Sequence, residues 1–322
     1  MERLGIICSG GDSQGMNACV KTIVNICTTH NILPIGIRRG YQGLIENDMM
    51  FLTNEMVENI DNLGGCYIKV SRSKDFMTKS GLNTAIANLN KAQIDAVVVV
   101  GGEGSFKGAA SLVKNGINVI CIPATVDNDL FYTDMCLGFD TAVNNAVNAI
   151  DNIRQTMEAN DRALIVETMG RECGAITMST ALATTANAVA TKELKTEIKD
   201  IVKDVKHALE IGVSSPLIIS TENQKFSIDD IKNQLEKTLG IVCRACKLGY
   251  IQRGGAPTVT DRNLAIKYGI TAVEAALQGK FGIAIGVKNN QIVLVPIDVA
   301  NSTPRNLDLS PYFALKKLYN CK

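Results

Sequence analysis

The sequence contains no tryptophan and only two histidines, His30 and His207, among its 322 residues. Histidine-based catalysis and histidine-rich metal centres are therefore not expected, because both need imidazole groups that this chain scarcely has. No apolar stretch approaches the roughly 20 residues that cross a bilayer. The segment Met1–Arg3 leads directly into a predicted strand rather than into the apolar core of a signal peptide. We therefore expect a soluble, cytoplasmic protein that has no membrane partner.

An excess of charge of one sign is also lacking. The chain has 33 Lys and Arg against 32 Asp and Glu, a formal net charge of +1. Such a balance offers no overall field that would attract nucleic acid or anionic lipid, so we expect no nucleic-acid partner. Any anion must be recognised by a few placed residues. With 46% hydrophobic residues, the chain can bury a substantial core in one large or two medium domains.

Disulfides are not expected either, although the chain has ten cysteines. The cysteines are scattered, several lie in apolar runs, and a chain of this length folds without disulfides, so reduced core thiols are the simplest interpretation. Cys243 and Cys246 form one C-x-x-C pair, but neither a second pair nor a nearby histidine completes a zinc site. The chemistry must therefore rest on carboxylates, arginine, lysine and backbone amides.

Short apolar runs alternate with amphipathic stretches, which is typical of a parallel sheet covered by helices on both faces. The four valines of Ala96–Val100 predict a strand in the middle of a sheet. Ser227 and Asp230 are typical of a helix start, and Gly240 is typical of a helix end. The other predicted strands are Leu4–Cys8, Leu33–Ile37, Ile117–Ile122, Ala163–Val166, Leu217–Ile219 and a hairpin of Gly282–Val287 with Ile292–Val295. The predicted helices are Met16–Cys27, Asn83–Lys91, Phe139–Met157, Lys192–Leu209 and Ser227–Leu239.

An acidic pair follows one of the buried strands. The run PATVDND occupies residues 123–129 and places Asp127 and Asp129 two residues apart at the carboxyl end of Ile117–Ile122. An open parallel sheet keeps its chemistry at that end of its strands. Asn and Asp are also common turn residues, so a solvated turn is the alternative.

Two glycine-rich loops open helices at other strand ends. The first is SGGDSQGMN at 9–17 and the second is GGEGSFKG at 101–108. Glycines let backbone amides approach a phosphate near the positive end of a helix. The first loop has neither the Rossmann nor the Walker spacing. Glu103 beside such amides suggests Mg²⁺, since a bare carboxylate would repel phosphate. Each loop alone is equally compatible with a plain tight turn.

Arginines stand in three further loops. These segments are SRSK at 71–74, MGR at 169–171 and LGYIQRGG at 248–255. Arginine matches phosphate oxygens as a bidentate fork, so several arginines from distant loops could form a cradle for a polyanion. Any one of them could be an ordinary surface charge. The combination with two glycine loops and an acidic pair is hard to explain by turns alone.

Five motifs stand in the chain in the order GGDSQGMN, GGEGS, PATVDND, MGRECG and LGYIQRGG. In this order, and over nearly the whole chain, they resemble the 6-phosphofructokinase family. The resemblance implies a two-lobed α/β fold in which each lobe is a mostly parallel sheet between helices. It implies a larger nucleotide-binding domain of residues 1–138 and about 251–304, and a smaller sugar-phosphate-binding domain of residues 139–250 and about 305–322.

The same resemblance implies ATP-dependent phosphorylation of fructose 6-phosphate at its 1-hydroxyl group, a step of glycolysis, with ATP as co-substrate and Mg²⁺ as metal. Asp127 would be the general base. Thr125 and Asp129 would orient the hydroxyl and help to organise Mg²⁺, whereas Arg171 and Arg72 would neutralise charge on the transferring phosphoryl group.

Other positions match ligand-contacting positions of the family. The implied catalytic and nucleotide-contacting residues include Gly11, Tyr41, Arg72, Ser73, Gly102, Glu103, Gly104, Ser105 and Gly108, with Glu103 and Asp129 at the metal. The implied sugar-phosphate residues are Thr125, Asp127, Met169, Gly170, Arg171, Glu222, Tyr250 and Arg253, with Arg162 and Arg244. In the family the last two arginines reach in from a neighbouring subunit, so the resemblance implies a homo-oligomer, typically a homotetramer.

Four residues bear on the choice of substrate. Glu103 replaces the family's aspartate, and Tyr250 replaces a histidine that binds the substrate phosphate. Ala124 stands where ATP-using members have glycine and pyrophosphate-using members have lysine, and Gly104 is glycine where the latter have aspartate. ATP is therefore favoured. The alternatives are a kinase of the same fold with another phosphoryl donor or sugar phosphate, and a catalytically weak regulatory subunit.

Overall fold

The computed structural model describes residues 1–303 and 306–319. The chain divides into two compact units. Unit one comprises Met1–Thr141 and Arg253–Arg305, and unit two comprises Ala142–Gln252 and Asn306–Lys322. Each unit is therefore assembled from separate stretches of the chain. The assignment of nucleotide to the larger domain and sugar phosphate to the smaller one stays a prediction.

Eleven strands and twelve α-helices lie within the described residues. The strands are β1 (Arg3–Ser9), β2 (Leu33–Ile37), β3 (Met49–Phe51), β4 (Ala96–Gly101), β5 (Val119–Pro123), β6 (Ala163–Thr168), β7 (Ala188–Ala190), β8 (Leu217–Thr221), β9 (Cys243–Lys247), β10 (Ile283–Lys288) and β11 (Gln291–Pro296). The helices are α1 (Met16–Thr29), α2 (Gly40–Glu46), α3 (Asn54–Val57), α4 (Lys79–Lys91), α5 (Glu103–Lys114), α6 (Phe139–Glu158), α7 (Ala175–Ala183), α8 (Ile198–Glu210), α9 (Ile228–Leu239), α10 (Val259–Leu277), α11 (Ile297–Ser302) and α12 (Ser310–Leu318). Short 3₁₀ turns occupy Asp75–Met77 and Gly249–Arg253.

Unit one contains a seven-stranded sheet in the order β11-β10-β5-β4-β1-β2-β3. Its strands are parallel except at the two edges. There β3 pairs antiparallel with β2, and β11 pairs antiparallel with β10. The valine strand β4 lies at the centre, as predicted, and its valines are fully buried. Val98 and Val100 pack in one apolar cluster with α1 and α10, whereas Val97 and Val99 pack in a second cluster with α4 and α5. The alternation of strand side chains therefore divides the core between the two faces of the sheet.

Unit two contains a four-stranded parallel sheet in the order β7-β8-β6-β9. The side chains of β6 also alternate between the two faces of their sheet. Leu164 and Val166 pack in a cluster with residues of α6, α7 and α12, and Ala163 and Ile165 pack in another with α8 and α9. The predicted fold class, an α/β chain with two mostly parallel sheets flanked by helices, is confirmed.

Several local predictions are also confirmed. The backbone N–H of Asp230 donates to Ser227 Oγ at 3.1 Å, and the N–H of Ser227 donates to an Asp230 carboxylate oxygen at 2.8 Å, which forms the capping box of α9. Gly240 ends this helix with a φ of 67°. Strands β10 and β11 form the antiparallel hairpin. The cysteines in the described ranges are reduced thiols.

The predicted helix Lys192–Leu209 is wrong in its first six residues, because α8 begins only at Ile198. Lys195 has a φ of 52°, which a right-handed helix cannot contain. The N–H of Leu194 donates to Thr191 Oγ1, and the N–H of Glu197 donates to an Asp200 carboxylate oxygen at 3.0 Å, so this segment turns before the helix starts. Leu194 lies four residues before Ile198, a spacing typical of a helix, but the backbone is not helical there.

Candidate active site

Three loops of unit one meet at the carboxyl ends of neighbouring parallel strands. Gly101, the last residue of β4, pairs with Ser9 of β1 on one side and with Pro123 of β5 on the other. A Cβ on Gly102 would lie 3.4 Å from Thr125 Cβ, and a Cβ on Gly10 would lie 3.4 Å from Ser105 Oγ. The strand pairing therefore brings both glycine loops and the acidic loop together.

The acidic loop is held in a defined conformation by the asparagine between its two carboxylates. Asn128 has a left-handed φ of 49°, which asparagine tolerates better than most residues. Its amide donates to Asp134 O at 3.1 Å, and its Oδ1 accepts the N–H of Cys136 at 2.8 Å. Asp127 is 2% exposed, and its N–H donates to Thr125 Oγ1 at 3.2 Å. Asp127 is thus a buried carboxylate in a fixed loop.

The first glycine loop is joined to Arg253. The guanidinium Nη2 donates to Asp12 Oδ1 at 2.8 Å and to Asp12 O at 2.8 Å. A Cβ on Gly11 would lie 2.3 Å from that same Nη2. The structure therefore places Arg253 against Gly11, and only a residue without a side chain fits there undisturbed.

The second glycine loop rests on Tyr41. The Tyr41 hydroxyl donates to Ser105 O at 2.6 Å, and its ring stacks on Phe76 with centroids 4.2 Å apart. A Cβ on Gly108 would lie 2.7 Å from the Tyr41 ring. Burial raises the pKa of the Tyr41 hydroxyl, so it remains a neutral donor. Tyr41 therefore contacts this loop through both its hydroxyl and its ring.

Glu103 begins α5, and its Oε1 lies 2.6 Å from Lys107 Nζ one helical turn later. Gly104, the next residue, is exposed. Three His, Cys, Asp or Glu residues do not come together as a metal site anywhere in the described part of the chain. Glu103 and Asp129 nevertheless offer oxygen ligands, and Mg²⁺ in phosphate enzymes takes one or two carboxylates and completes its shell with phosphate and water. Both carboxylates therefore supply donor atoms of the type that Mg²⁺ takes.

The segment that carries Arg72 and Ser73 is hydrogen-bonded to the first glycine loop. The N–H of Gly10 donates to Ser71 O at 3.4 Å. Ser73 Oγ donates to Gln42 Oε1 at 2.6 Å, which fixes the following turn. Arg72 itself is exposed. Its guanidinium is thus carried by an anchored segment beside Gly10.

A second group of predicted residues lies in unit two, directly after β6 and β8. Gly170 has a φ of 137°, and a Cβ there would lie 2.2 Å from Cys173 O. The N–H of Arg171 donates to Glu222 Oε1 at 2.9 Å, and the N–H of Met169 donates to Gln252 Oε1 at 3.2 Å. The structure therefore brings Met169, Gly170, Arg171 and Glu222 together.

Arg162 and Arg244 are not brought to that group. Arg162 precedes β6, and Arg244 pairs with Leu164 near the start of the same strand, whereas Met169 follows its last residue. Strand β6 has six residues, so its first and last residues lie roughly 17 Å apart at about 3.3 Å per residue. The two arginines therefore occupy the opposite end of the sheet of unit two. Tyr250 is 80% exposed.

Sequence reasoning missed several residues that hold these loops. Asp12 and Gln252 lie inside quoted motifs, so the signal was present, but nothing in the motifs shows what they contact. Gln252 is fully buried and lies 83 positions from its partner Met169. Thr177 and Thr221 hydrogen-bond to each other at 2.6 Å, and no motif includes them.

Comparisons with known proteins give concordant results. The sequence model of the family described as Phosphofructokinase matches residues 3–276. Proteins named ATP-dependent 6-phosphofructokinase from Clostridioides difficile and Thermotoga petrophila are each 38% identical to this chain, over 99% of it and 99% and 98% of their own lengths. The protein of the same name from Lactobacillus delbrueckii subsp. bulgaricus is 40% identical over 91% of both chains.

Solved structures are similar as well. The phosphofructokinase of Saccharomyces cerevisiae superposes with a TM-score of 0.87 at 27% identity, over 94% of this chain. This chain spans only 45% of the yeast chain. A pyrophosphate-dependent phosphofructokinase from Marinobacter aquaeolei gives a TM-score of 0.87 at 19% identity, over 96% of this chain and 86% of that one, and supports the fold alone.

Proposed function

Because this chain belongs to the phosphofructokinase family, we propose that it catalyses the ATP-dependent phosphorylation of fructose 6-phosphate at the 1-hydroxyl group, which yields fructose 1,6-bisphosphate. The observation that carries this proposal is the position of Asp127, a carboxylate 2% exposed in a fixed loop beside two glycine loops. A general base beside loops suited to phosphate binding argues against a purely regulatory subunit, because such a subunit would carry out no proton transfer.

In the proposed mechanism, Asp127 accepts the proton of the sugar 1-hydroxyl as its oxygen attacks the terminal phosphoryl group. In-line phosphoryl transfer needs mainly positioning and charge stabilisation, and a placed base contributes a further factor. Thr125 orients the hydroxyl. The amides at Gly11 and the guanidinium groups of Arg72 and Arg171 stabilise the charge that spreads over the transferring oxygens.

The nucleotide is proposed to bind unit one along its two glycine loops, where the starts of α1 and α5 offer backbone N–H groups to phosphate oxygens. Mg²⁺ would be held by Glu103 and Asp129, and when bound it would neutralise charge on the phosphate oxygens. ATP is favoured over pyrophosphate by Ala124 and Gly104 and by the names of the relatives. The sugar phosphate is proposed to bind Met169, Gly170, Arg171 and Glu222, with Tyr250 and Arg253.

We also propose that the protein forms a homo-oligomer, a homotetramer. Arg162 and Arg244 lie at the end of the unit-two sheet opposite to Met169 and Glu222. If these arginines bind sugar phosphate, as the resemblance implies, the site that they serve belongs to another subunit. No helix in the described ranges is long and apolar enough to span a membrane. We propose that the enzyme acts in the cytoplasm.

Formation of fructose 1,6-bisphosphate with ATP or pyrophosphate tests the proposal. We expect turnover with ATP, and Asp127→Asn should lower kcat by about 10²- to 10⁴-fold, the usual contribution of a general base. Asp151→Asn, at an exposed position of α6, is the matched control and should leave kcat unchanged. Absence of turnover with every donor would exclude the enzyme, turnover with pyrophosphate alone would select the other donor, and near-normal kcat in Asp127→Asn would exclude that base.

A further inference from the structure

Three buried threonine hydroxyls form a chain of hydrogen bonds in unit two. The Oγ1 atoms of Thr168 and Thr177 are 2.7 Å apart, and those of Thr177 and Thr221 are 2.6 Å apart. Thr177 is fully buried, and the other two are 1% and 2% exposed. A hydroxyl has one donor and two acceptor sites, so the middle one can donate to one neighbour and accept from the other. The chain therefore links α7 to the ends of β6 and β8.

These two strand ends carry residues of the candidate active site. Thr168 and Thr221 are register partners, and the backbone N–H of Glu222 donates to Thr168 O at 2.9 Å. A Cβ on Gly170 would lie 3.3 Å from Thr221 Cγ2. Thr221, at one end of the threonine chain, thus lies next to the segment that leads to Arg171.

Arg171 needs such support because of its backbone conformation. It has a φ of 52°, a left-handed value that is uncommon for residues with a side chain and that contacts from the surroundings can stabilise. The Glu222 carboxylate accepts the Arg171 N–H at 2.9 Å. The geometry of this bond depends on the spacing of the ends of β6 and β8, which the backbone ladder sets and which Thr177 bridges from α7.

We propose that Thr177 is a positioning residue for Arg171: its hydroxyl fixes the ends of β6 and β8, so that Glu222 can hold the Arg171 backbone and aim its guanidinium. Thr177 touches neither substrate nor nucleotide in this proposal. Its kinetic consequence rests on the proposed function, whereas its structural consequence does not.

The chain offers a matched set of variants. Thr177→Val keeps the shape and removes both hydrogen bonds, whereas Thr177→Ser keeps the hydroxyl. Thr180→Val is the control, because Thr180 lies on the same helix, is fully buried, and has a hydroxyl without a hydrogen-bond partner among the described residues. Thermal melts establish that each variant is folded. If Thr177→Val does not fold, Thr221→Val removes one end of the chain and takes its place with the same expected results.

In steady-state kinetics, Thr177→Val should lower kcat by about tenfold or more, since small misplacements of a charge-stabilising group are costly. The KM for ATP should not change. Thr177→Ser should stay within about twofold of the wild type, as should Thr180→Val, because neither loses a hydrogen bond of the chain. In an Arg171→Ala background, Thr177→Val should have no further effect on kcat. An equal loss in both backgrounds, or a loss in Thr177→Ser as large as in Thr177→Val, would overturn the proposal.

Hydrogen exchange at the Arg171 amide supplies a readout that does not depend on turnover. This amide should exchange faster in Thr177→Val than in the wild type, and Thr177→Ser and Thr180→Val should retain its protection. Equal exchange in Thr177→Val and Thr180→Val would overturn the positioning role even in a fully active enzyme. Faster exchange in a protein that does not turn over fructose 6-phosphate would contradict the proposed function alone.

Discussion

Arg253 and Asp12 form a two-point contact at the first glycine loop. Arg253 Nη2 donates to both the carboxylate and the backbone oxygen of Asp12, each at 2.8 Å, and Arg253 Nε donates to the same backbone oxygen at 3.2 Å. The planar guanidinium allows this forked geometry, which a lysine ammonium cannot reproduce. Because Gly11 faces the same nitrogen, the contact and the glycine depend on each other.

Gly11→Ala should therefore displace the Arg253 side chain. We expect kcat/KM for fructose 6-phosphate to fall by about tenfold or more, because the misplaced group is a proposed substrate ligand. The melting temperature should change little, since only the flexible end of Arg253 must move. Gly104→Ala is the control for stability, because its Cβ would meet no atom within 4 Å. Arg253→Lys should give a similar kinetic loss, and the double variant should lose no more than either single variant. Fully additive losses would show that the two residues act separately.

Mixed oligomers test whether active sites are shared between subunits. Subunits with Asp127→Asn and subunits with Arg244→Ala should each be nearly inactive alone. Refolded together in equal amounts, they should regain activity at about a quarter of their sites, where an intact Asp127 meets an intact Arg244 of a neighbour. The measurement is kcat per subunit before and after mixing, with native mass spectrometry to verify hybrid formation. Hybrids without recovered activity would place Arg244 outside the site.

The buried carboxylate of Asp261 orients the start of α6. It accepts a hydrogen bond from the N–H of Gly138 at 2.8 Å. It also accepts two from Thr141, one from its N–H at 2.9 Å and one from its hydroxyl at 2.5 Å. Asp261→Asn turns an NH₂ group toward these donors and should cost about 1–3 kcal/mol of the free energy of unfolding at pH 7. Urea denaturation measures it, with the exposed Asp151→Asn as the control. A loss equal to that of the control would show that this carboxylate is not needed.

Burial raises the pKa of Asp261 above its usual 3.8, and the hydrogen bonds from Thr141 and Gly138 only partly offset this. The folded state therefore holds this proton more tightly than the unfolded chain. The corresponding stability is present below the usual pKa and is lost as pH rises through the raised one. The difference in free energy of unfolding between wild type and Asp261→Asn should thus widen as pH falls from 7 toward about 4. A difference independent of pH would contradict the raised pKa.

The sequence predicted the elements whose signal is local. The valines of β4 and the cap at Ser227 act within a few residues, so composition and spacing were sufficient. The location of Asp127 at the carboxyl end of a parallel strand followed from the same logic, because neighbouring strand ends must share one edge of the sheet.

Contacts between distant parts of the chain could not be predicted in this way. Gln252 supports Met169 across 83 positions, and nothing in either segment encodes that pairing. The start of α8 was misplaced because Leu194 continues an apolar spacing, whereas the left-handed Lys195 interrupts the helix. Side chains such as Thr177, which act through packing between elements, carry no pattern of their own.

The order of the strands has a consequence for synthesis on the ribosome. In unit one, β10 lies between β5 and β11, so the seven-stranded sheet is incomplete until residue 296 has been translated. The four strands of unit two all lie within residues 163–247 and emerge earlier. Unit two is completed later still, because α12 (Ser310–Leu318), which packs on one face of its sheet, is translated last. Since domains generally fold as their chain is completed, both units should reach their final packing only when the C-terminal residues have been translated, and the sheet of unit one should have an open edge at β5 until β10 is added.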